Sequence, residues 1–363
     1  FALYGDISDR MMSLAARLGH RQEVYSIDEC FLDLSGLPEV TAQARATREQ
    51  ILRWIDIPTC VGIAPTKTLA KLANHIAKSA ERKPGSYPAR LAQVCNLADL
   101  SDRQREWLYR RTPVGEVWGV GPRIGRQLGE AGIETVLDLI RLDPATVKAR
   151  WSVVLERTVR ELRGIPCIGI DHAPAPKQQI AVTRSFGQRV TGLAELQQAV
   201  TDFASRAAQK LRAQDGHASA VLVFIRTSPF RPQAPQYGRS VTVPLRLPSS
   251  DTLAIVNAAL AGLDRIYRSG YDYAKAGVML LDLQPATQGQ HELELGDDAV
   301  VHERRQARLM RALDAVNDRF GRGTLTLGSA GLCQEPGRRW TMRQERRTPR
   351  YTTCWDELLT VSA

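Results

Sequence analysis

The chain has 363 residues, 43% of them hydrophobic and 24% charged, with a net charge of +10 and a pI near 9.5. This length holds two or three domains, and the composition is that of a globular protein rather than a disordered or fibrous one. No apolar run reaches the about 20 residues of a membrane-spanning helix. The six cysteines form no C-x-x-C pair, so no zinc ribbon or disulfide framework is indicated, and a reducing, cytoplasmic setting fits.

In chain order, Leu3, Ile7, Met11, Leu14 and Leu18 predict a helix over 3–18. The run from Tyr25 to Leu34 reads as a strand carrying Asp28 and Glu29, because it has no Gly, Pro or Asn to turn it. A helix over 39–55, a short strand over 59–64 and a helix over 66–78 follow. That alternation predicts an α+β layer with the acidic strand at the centre of its sheet. Residues 99–164 read as helices with short connections, and 172–177 as a Pro-rich linker. Beyond it come a strand over 180–190, a helix over 193–213, strands over 218–227 and 238–247, a helix over 251–268 and a strand over 276–284. This is a βαββαβ, or split βαβ, domain. Residues 285–300 read as a mobile connector and 302–319 as a helix. The tail sets Arg338, Arg339, Arg343, Arg346, Arg347 and Arg350 among Trp340, Tyr351 and Trp355, which suits nucleic acid and a protein partner about equally.

Three features carry chemistry. Asp28 and Glu29 taken alone are equally at home at a hairpin tip. Inside an apolar strand, however, two adjacent carboxylates carry a large burial penalty, which Mg²⁺ would remove. The second feature is Val117-Trp118-Gly119-Val120-Gly121, with Arg123 and Arg126 just after it. It reads as a helix-hairpin-helix turn whose backbone N–H groups approach phosphate, a reading favoured over a purely structural turn. Third, residues 177–290 hold 13 basic and 7 acidic residues, more than half of the net charge. Arg184, Arg189, Arg226, Arg231, Arg239 and Arg246 lie on or beside the predicted strands there, as on a sheet that faces a nucleic-acid backbone. A merely solvated basic surface is the competing reading. Lys67 and Lys71 read first as a solvated helix stripe.

These segments resemble the Y-family translesion DNA polymerases, in particular the catalytic subunits of the bacterial polymerase V type. The resemblance rests on Tyr25-Ser26-Ile27-Asp28-Glu29, Val61 through Asn74, the turn at 117–121, Arg184-Ser185-Phe186-Gly187, Lys275 through Leu280, and Thr348-Pro349-Arg350-Tyr351-Thr352-Thr353. It implies an α+β fold with a partial palm (1–98), a helical thumb with linker (99–176), a little finger (177–290) and a C-terminal connector and basic tail (291–363). It implies error-prone, template-directed synthesis in the SOS DNA-damage response through two Mg²⁺ ions. Asp28 would bridge both ions and Glu29 would hold the one that activates the primer 3′-hydroxyl. Lys78 would touch the triphosphate of the incoming deoxynucleotide. Gly119, Gly121, Arg123, Arg126, Arg184, Arg189, Arg226 and Arg239 would hold primer–template DNA by its backbone. The implied partners are that DNA, a deoxynucleoside triphosphate, a UmuD-type accessory subunit and a recombinase filament, with no membrane.

Two departures qualify the resemblance. The family's N-terminal metal-binding motif and fingers have no counterpart after Phe1, so little polymerase activity is expected of these 363 residues alone, and a non-catalytic DNA-binding paralogue is the alternative reading. The place of the family's sliding-clamp peptide reads Glu292-Leu293-Glu294-Leu295-Gly296, without the Gln and the aromatic anchor, so clamp binding near Leu293 is not expected.

Overall fold

The computed structural model describes residues 2–171, 176–288, 297–331, 339–343 and 345–360. The clamp-like stretch at 292–296, Arg338 and most of the Pro-rich linker lie outside them. The chain divides into two compact units, one of residues 1–174 with 348–363 and one of residues 175–347. Among the described residues no helix is long and apolar enough to cross a membrane.

In the first unit, α1 (Ala2–Ala15) buries Met11, Met12 and Leu14 against Ile51 of α2 (Val40–Ile55). Strands β1 (Arg21–Val24) and β2 (Cys30–Asp33) form an antiparallel hairpin. Strands β3 (Val61–Ile63) and β4 (Val94–Asn96) pair in parallel as a separate two-stranded sheet. The expected single layer with a central acidic strand is therefore not what forms: the acidic pair falls between β1 and β2, in the loop.

Helix α3 (Lys67–Arg82) starts where Thr66 caps it, the Thr66 hydroxyl accepting from the Leu69 N–H at 3.3 Å. Its apolar side meets β3 with no side chain between them at one point. A Cβ on Gly62 would lie 2.2 Å from both Ala70 O and Asn74 N. Glycine is the residue that lets strand and helix backbones come that close.

Five further helices follow: α4 (Asp102–Arg111), α5 (Pro122–Glu130), α6 (Val136–Arg141), α7 (Pro144–Arg150) and α8 (Val153–Leu162). Leu69, Leu72 and Ile76 of α3 share one apolar cluster with Leu108, Leu128 and Val159. The boundary expected at residue 98 thus runs through a common core.

The second unit is a four-stranded antiparallel sheet of β5 (Ile180–Val190), β6 (Gly216–Thr227), β7 (Gly238–Ser249) and β8 (Tyr273–Pro285), in the spatial order β5-β8-β6-β7. Strand β8 lies between β5 and β6, and β6 lies between β7 and β8, so both crossovers are split. Helices α9 (Leu193–Arg212) and α10 (Thr252–Ile266) cover one face with Phe203, Leu211, Ile255 and Leu263. Helix α11 (Asp297–Phe320) begins inside the stretch expected to be a connector. Its Met310 is buried, and Asp314 accepts from Arg212 Nε and Nη2, both at 2.7 Å.

The tail is less uniform than its composition implied. Trp340 is buried edge-on against Phe203, at 6.0 Å between ring centroids. Its neighbours extend the sheet at the β5 bulge, where Gly187 N–H donates to Thr341 O at 2.8 Å and Gln188 N–H to Arg339 O at 3.1 Å. Trp340 is a core residue, while Trp355 is exposed.

Replacing Gly62 by Ala should destabilise the fold by about 3 kcal/mol, since the added methyl meets backbone that cannot step aside. Urea unfolding monitored by circular dichroism measures this; a loss below about 1 kcal/mol would show that the strand–helix approach is looser than described.

Candidate active site

The loop joining β1 to β2 turns without glycine because Ser26 supplies the turn chemistry. Tyr25 and Ser26 N–H both donate to Glu29 O at 3.0 Å, Asp28 N–H donates to Ser26 Oγ at 3.3 Å, and the Ser26 hydroxyl donates to Asp28 Oδ1 at 2.6 Å. From α1, the Ser8 hydroxyl donates to Ile27 O at 2.5 Å. Asp28 is exposed and the Glu29 side chain is 40% exposed. The burial penalty reasoned for a strand therefore does not arise. The charge of Glu29 is met by Lys71 Nζ at 2.7 Å.

Lys71 is one of three lysines set along a single face of α3, since positions 67, 71 and 78 fall within about 40° of one another around the helix. Lys67 is buried, pairs with Glu23 and lies 4.9 Å from the Phe31 ring; Lys71 lies 5.0 Å from the Tyr25 ring. Glu23 also accepts from Asp171 N–H at 2.6 Å. These two lysines are not the solvated stripe expected of them, because the hairpin folds over them. Lys78, about 10 Å further along the helix, is exposed and makes no ion pair among the described residues.

The thumb-like turn reaches the same hairpin. Trp118 packs on Tyr25 (5.7 Å) and Phe31 (5.6 Å), and its indole N–H donates to Tyr25 Oη at 3.3 Å. Immediately after it Gly119 takes φ +91°, which suits glycine. Gly121 caps α5 with open space where a Cβ would stand, and Arg123 and Arg126 are exposed on the first turns of that helix. The hairpin of the helix-hairpin-helix is closed by Ile133 N–H donating to Leu128 O (2.9 Å) and by the Thr135–Asp138 capping box of α6.

A residue that sequence reasoning passed over holds this assembly in place. Glu161 on α8 is fully buried. One carboxylate oxygen accepts from the Thr68 N–H and hydroxyl, both at 2.9 Å; the other accepts from Cys167 N–H (2.8 Å) and Ile168 N–H (3.0 Å). The acceptor sits at the positive N-terminal end of α3. His75 ties the same helix to the turn before Trp118, its Nδ1 3.3 Å from Glu116, and burial holds its pKa below the usual value. Burial also raises the Cys60 thiol to about 11 and the Cys95 thiol to about 12, which leaves neither as a thiolate nucleophile at neutral pH.

In the second unit, strand register separates the arginines that were grouped together. Arg226 is exposed on the open face. Arg184 stands opposite Ala276, on the helix-covered face, and Arg239 stands opposite Ile225, also on that face, where it is exposed at the edge strand. Arg189 pairs with Asp272 at 2.5 Å. The open face carries Thr183, Ser185, Ser240 and Thr242, with Lys275 joining Arg226 at one end. Leu222, Phe224 and Met279 of the inner strands stand on the same face, so it is a mixed apolar and hydroxyl surface with a basic end rather than one studded with arginine.

Asp28 and Glu29 present hard oxygen donors on an accessible loop, which fits a divalent ion completed by substrate phosphates. No group of three or more His, Cys, Asp and Glu side chains that would cage a metal occurs among the described residues.

The fold is that of a Y-family DNA polymerase: a solved chimera of Dbh and Dpo4 segments with that title superposes with a TM-score of 0.56 at 18% identity, over 78% of this chain and 76% of that one. The profile of the impB/mucB/samB family matches residues 1–75, that of its C-terminal domain matches 177–293, and that of a domain of unknown function matches 307–361. The protein UmuC of Salmonella typhimurium is 43% identical over 366 residues, covering 99% of this chain and 82% of that protein. MucB of Escherichia coli is 42% identical over 98% of this chain and 80% of its own length. DNA polymerase IV of Moorella thermoacetica is 28% identical over 88% and 74%. The chain belongs to the impB/mucB/samB family of Y-family polymerases, in its UmuC-type branch.

Glu161→Gln should cost about 3 kcal/mol, because an amide NH₂ would face N–H donors across a closed interior. Guanidinium unfolding reads the loss; a change within about 0.5 kcal/mol would show that the carboxylate does not organise α3.

Proposed function

We propose that the chain carries the catalytic loop and DNA-holding surfaces of a DNA-directed DNA polymerase for error-prone translesion synthesis in the SOS response. One observation supports this reading above the others. The loop bearing Asp28 and Glu29 faces the lysine stripe of α3 and is packed, through Trp118, against the glycine turn suited to phosphate. Carboxylates, cations and a backbone grip stand together, as transfer of a nucleotide to a primer end requires.

Asp28 and Glu29 would hold Mg²⁺ there. Bound, the ions would stabilise the attacking and leaving oxygens of an in-line displacement at the α-phosphorus. Glu29, now paired with Lys71 at 2.7 Å, would be one of the ion's ligands, and the Lys71 ammonium would then be open to phosphate oxygens. Lys78, exposed further along the same stripe, would meet the triphosphate. Gly119, Gly121, Arg123 and Arg126 grip the DNA backbone, and Arg226 with Lys275 does so from the open sheet face. Such contacts ignore base identity and so tolerate damaged templates, and they make affinity fall as salt rises. Action beside a UmuD-type accessory subunit and a recombinase filament, in the cytoplasm, belongs to the same reading.

The test is Asp28→Asn in the gene product that carries these 363 residues. Mg²⁺-dependent primer extension should fall at least about 100-fold, while affinity for primer–template stays within about twofold, since a metal ligand is lost and the phosphate grips are not. Extension that survives the substitution would overturn the assignment.

A further inference from the structure

On the helix-covered side of the second unit, a groove of about 740 Å³ runs between the edge strand β5, α9 and α11. Its basic side chains outnumber its acidic ones, six to two. The two acids are engaged: Asp314 holds Arg212 at 2.7 Å and Asp318 accepts from Gln209 at 3.3 Å. Arg206 is paired with Asp202 at 3.1 Å. Arg184, Lys210 and Arg322, with Lys177 close by, have no carboxylate partner among the described residues. Partial burial, reinforced by the charges of Lys177, Arg184, Arg322 and Arg206, holds the Lys210 pKa below its ordinary value.

Cations gathered in a concavity repel one another unless an anion joins them, and the field focused there draws in polyanions. The lining contains no aromatic ring and no large apolar side chain other than Val182. That leaves no anchor pocket of the sort that dominates peptide binding, and no platform on which bases stack. What matches is a flexible chain of phosphates.

We propose that this groove binds a single strand of nucleic acid by its phosphate backbone, at a site separate from the open sheet face that holds duplex. Arg311 and Arg322 lie within residues 307–361, the segment that the profile of a domain of unknown function matches. One role of that segment is then to form the outer wall of a strand-binding channel.

Fluorescence anisotropy of a labelled deoxythymidine oligomer and of a labelled primer–template duplex tests this. In the Lys210→Gln/Arg322→Gln variant, oligomer affinity should fall about tenfold and the log–log salt slope should become shallower by about 1.4, two single-strand phosphate contacts being lost. Duplex affinity should stay within about twofold. The charge-conserving Lys210→Arg/Arg322→Lys variant should bind the oligomer as the parent does, and Arg184→Gln should reproduce the loss from the strand side of the groove. Unchanged oligomer affinity in the Gln variants, equal losses for oligomer and duplex, or tighter binding of labelled polyglutamate than of the oligomer would each overturn the proposal. The duplex arm reports on the polymerase reading independently, so failure of one is distinguishable from failure of the other.

Discussion

The buried carboxylate of Glu161 is the interaction on which the placement of α3 and its lysine face depends. It closes four hydrogen bonds, two to the first turn of α3 and two to the segment that follows α8. A charge so enclosed is stable only when its oxygens are fully met, so the register of α3 against α8 has little freedom. Gly62 adds a second constraint from the opposite side by letting β3 touch the backbone of α3. Held in this way, α3 can only offer its lysine face to the β1–β2 hairpin.

The hairpin meets that face with paired charges and rings. Glu23 with Lys67 and Glu29 with Lys71 form two parallel ion pairs, each roofed by an aromatic ring, and Trp118 braces both rings. The two pairs differ in exposure. Lys67 is buried and its pair is shielded from water, whereas the Lys71–Glu29 pair is partly open to water, where an ion pair is worth little. On the proposed reading, a carboxylate held by a replaceable cation would be ready for a metal ion while its charge stays compensated. Because Trp118 leads directly into Gly119, the glycine turn and the carboxylate loop share one packed aromatic contact.

The sheet domain was legible because its strands alternate and its helices are long: all six predicted elements form within a few residues of their expected ends. The acidic loop was not, because turn chemistry was sought in Gly, Pro and Asn while Ser26 provided it. Lys67 and Lys71 had a signal, their spacing on the face of α3 after the Thr66 cap, but nothing in the pattern said that a hairpin would cover that face. Glu161 had none, since its bonds to Thr68 span 93 positions. Arg184 and Arg239 show a further limit. Presence on a strand is readable, but the side of the sheet follows from the register of partners far away in sequence.

The central claim is that Asp28 and Glu29 are ligands for a divalent ion and that Lys71 occupies Glu29 until that ion arrives. Electron paramagnetic resonance of Mn²⁺ titrated into the protein with a deoxynucleoside triphosphate tests it most directly. Mn²⁺ affinity should weaken at least about tenfold in Glu29→Gln, where a ligand is lost, and strengthen in Lys71→Gln, where the competitor is gone. Equal Mn²⁺ affinity in the parent and both variants would contradict the account.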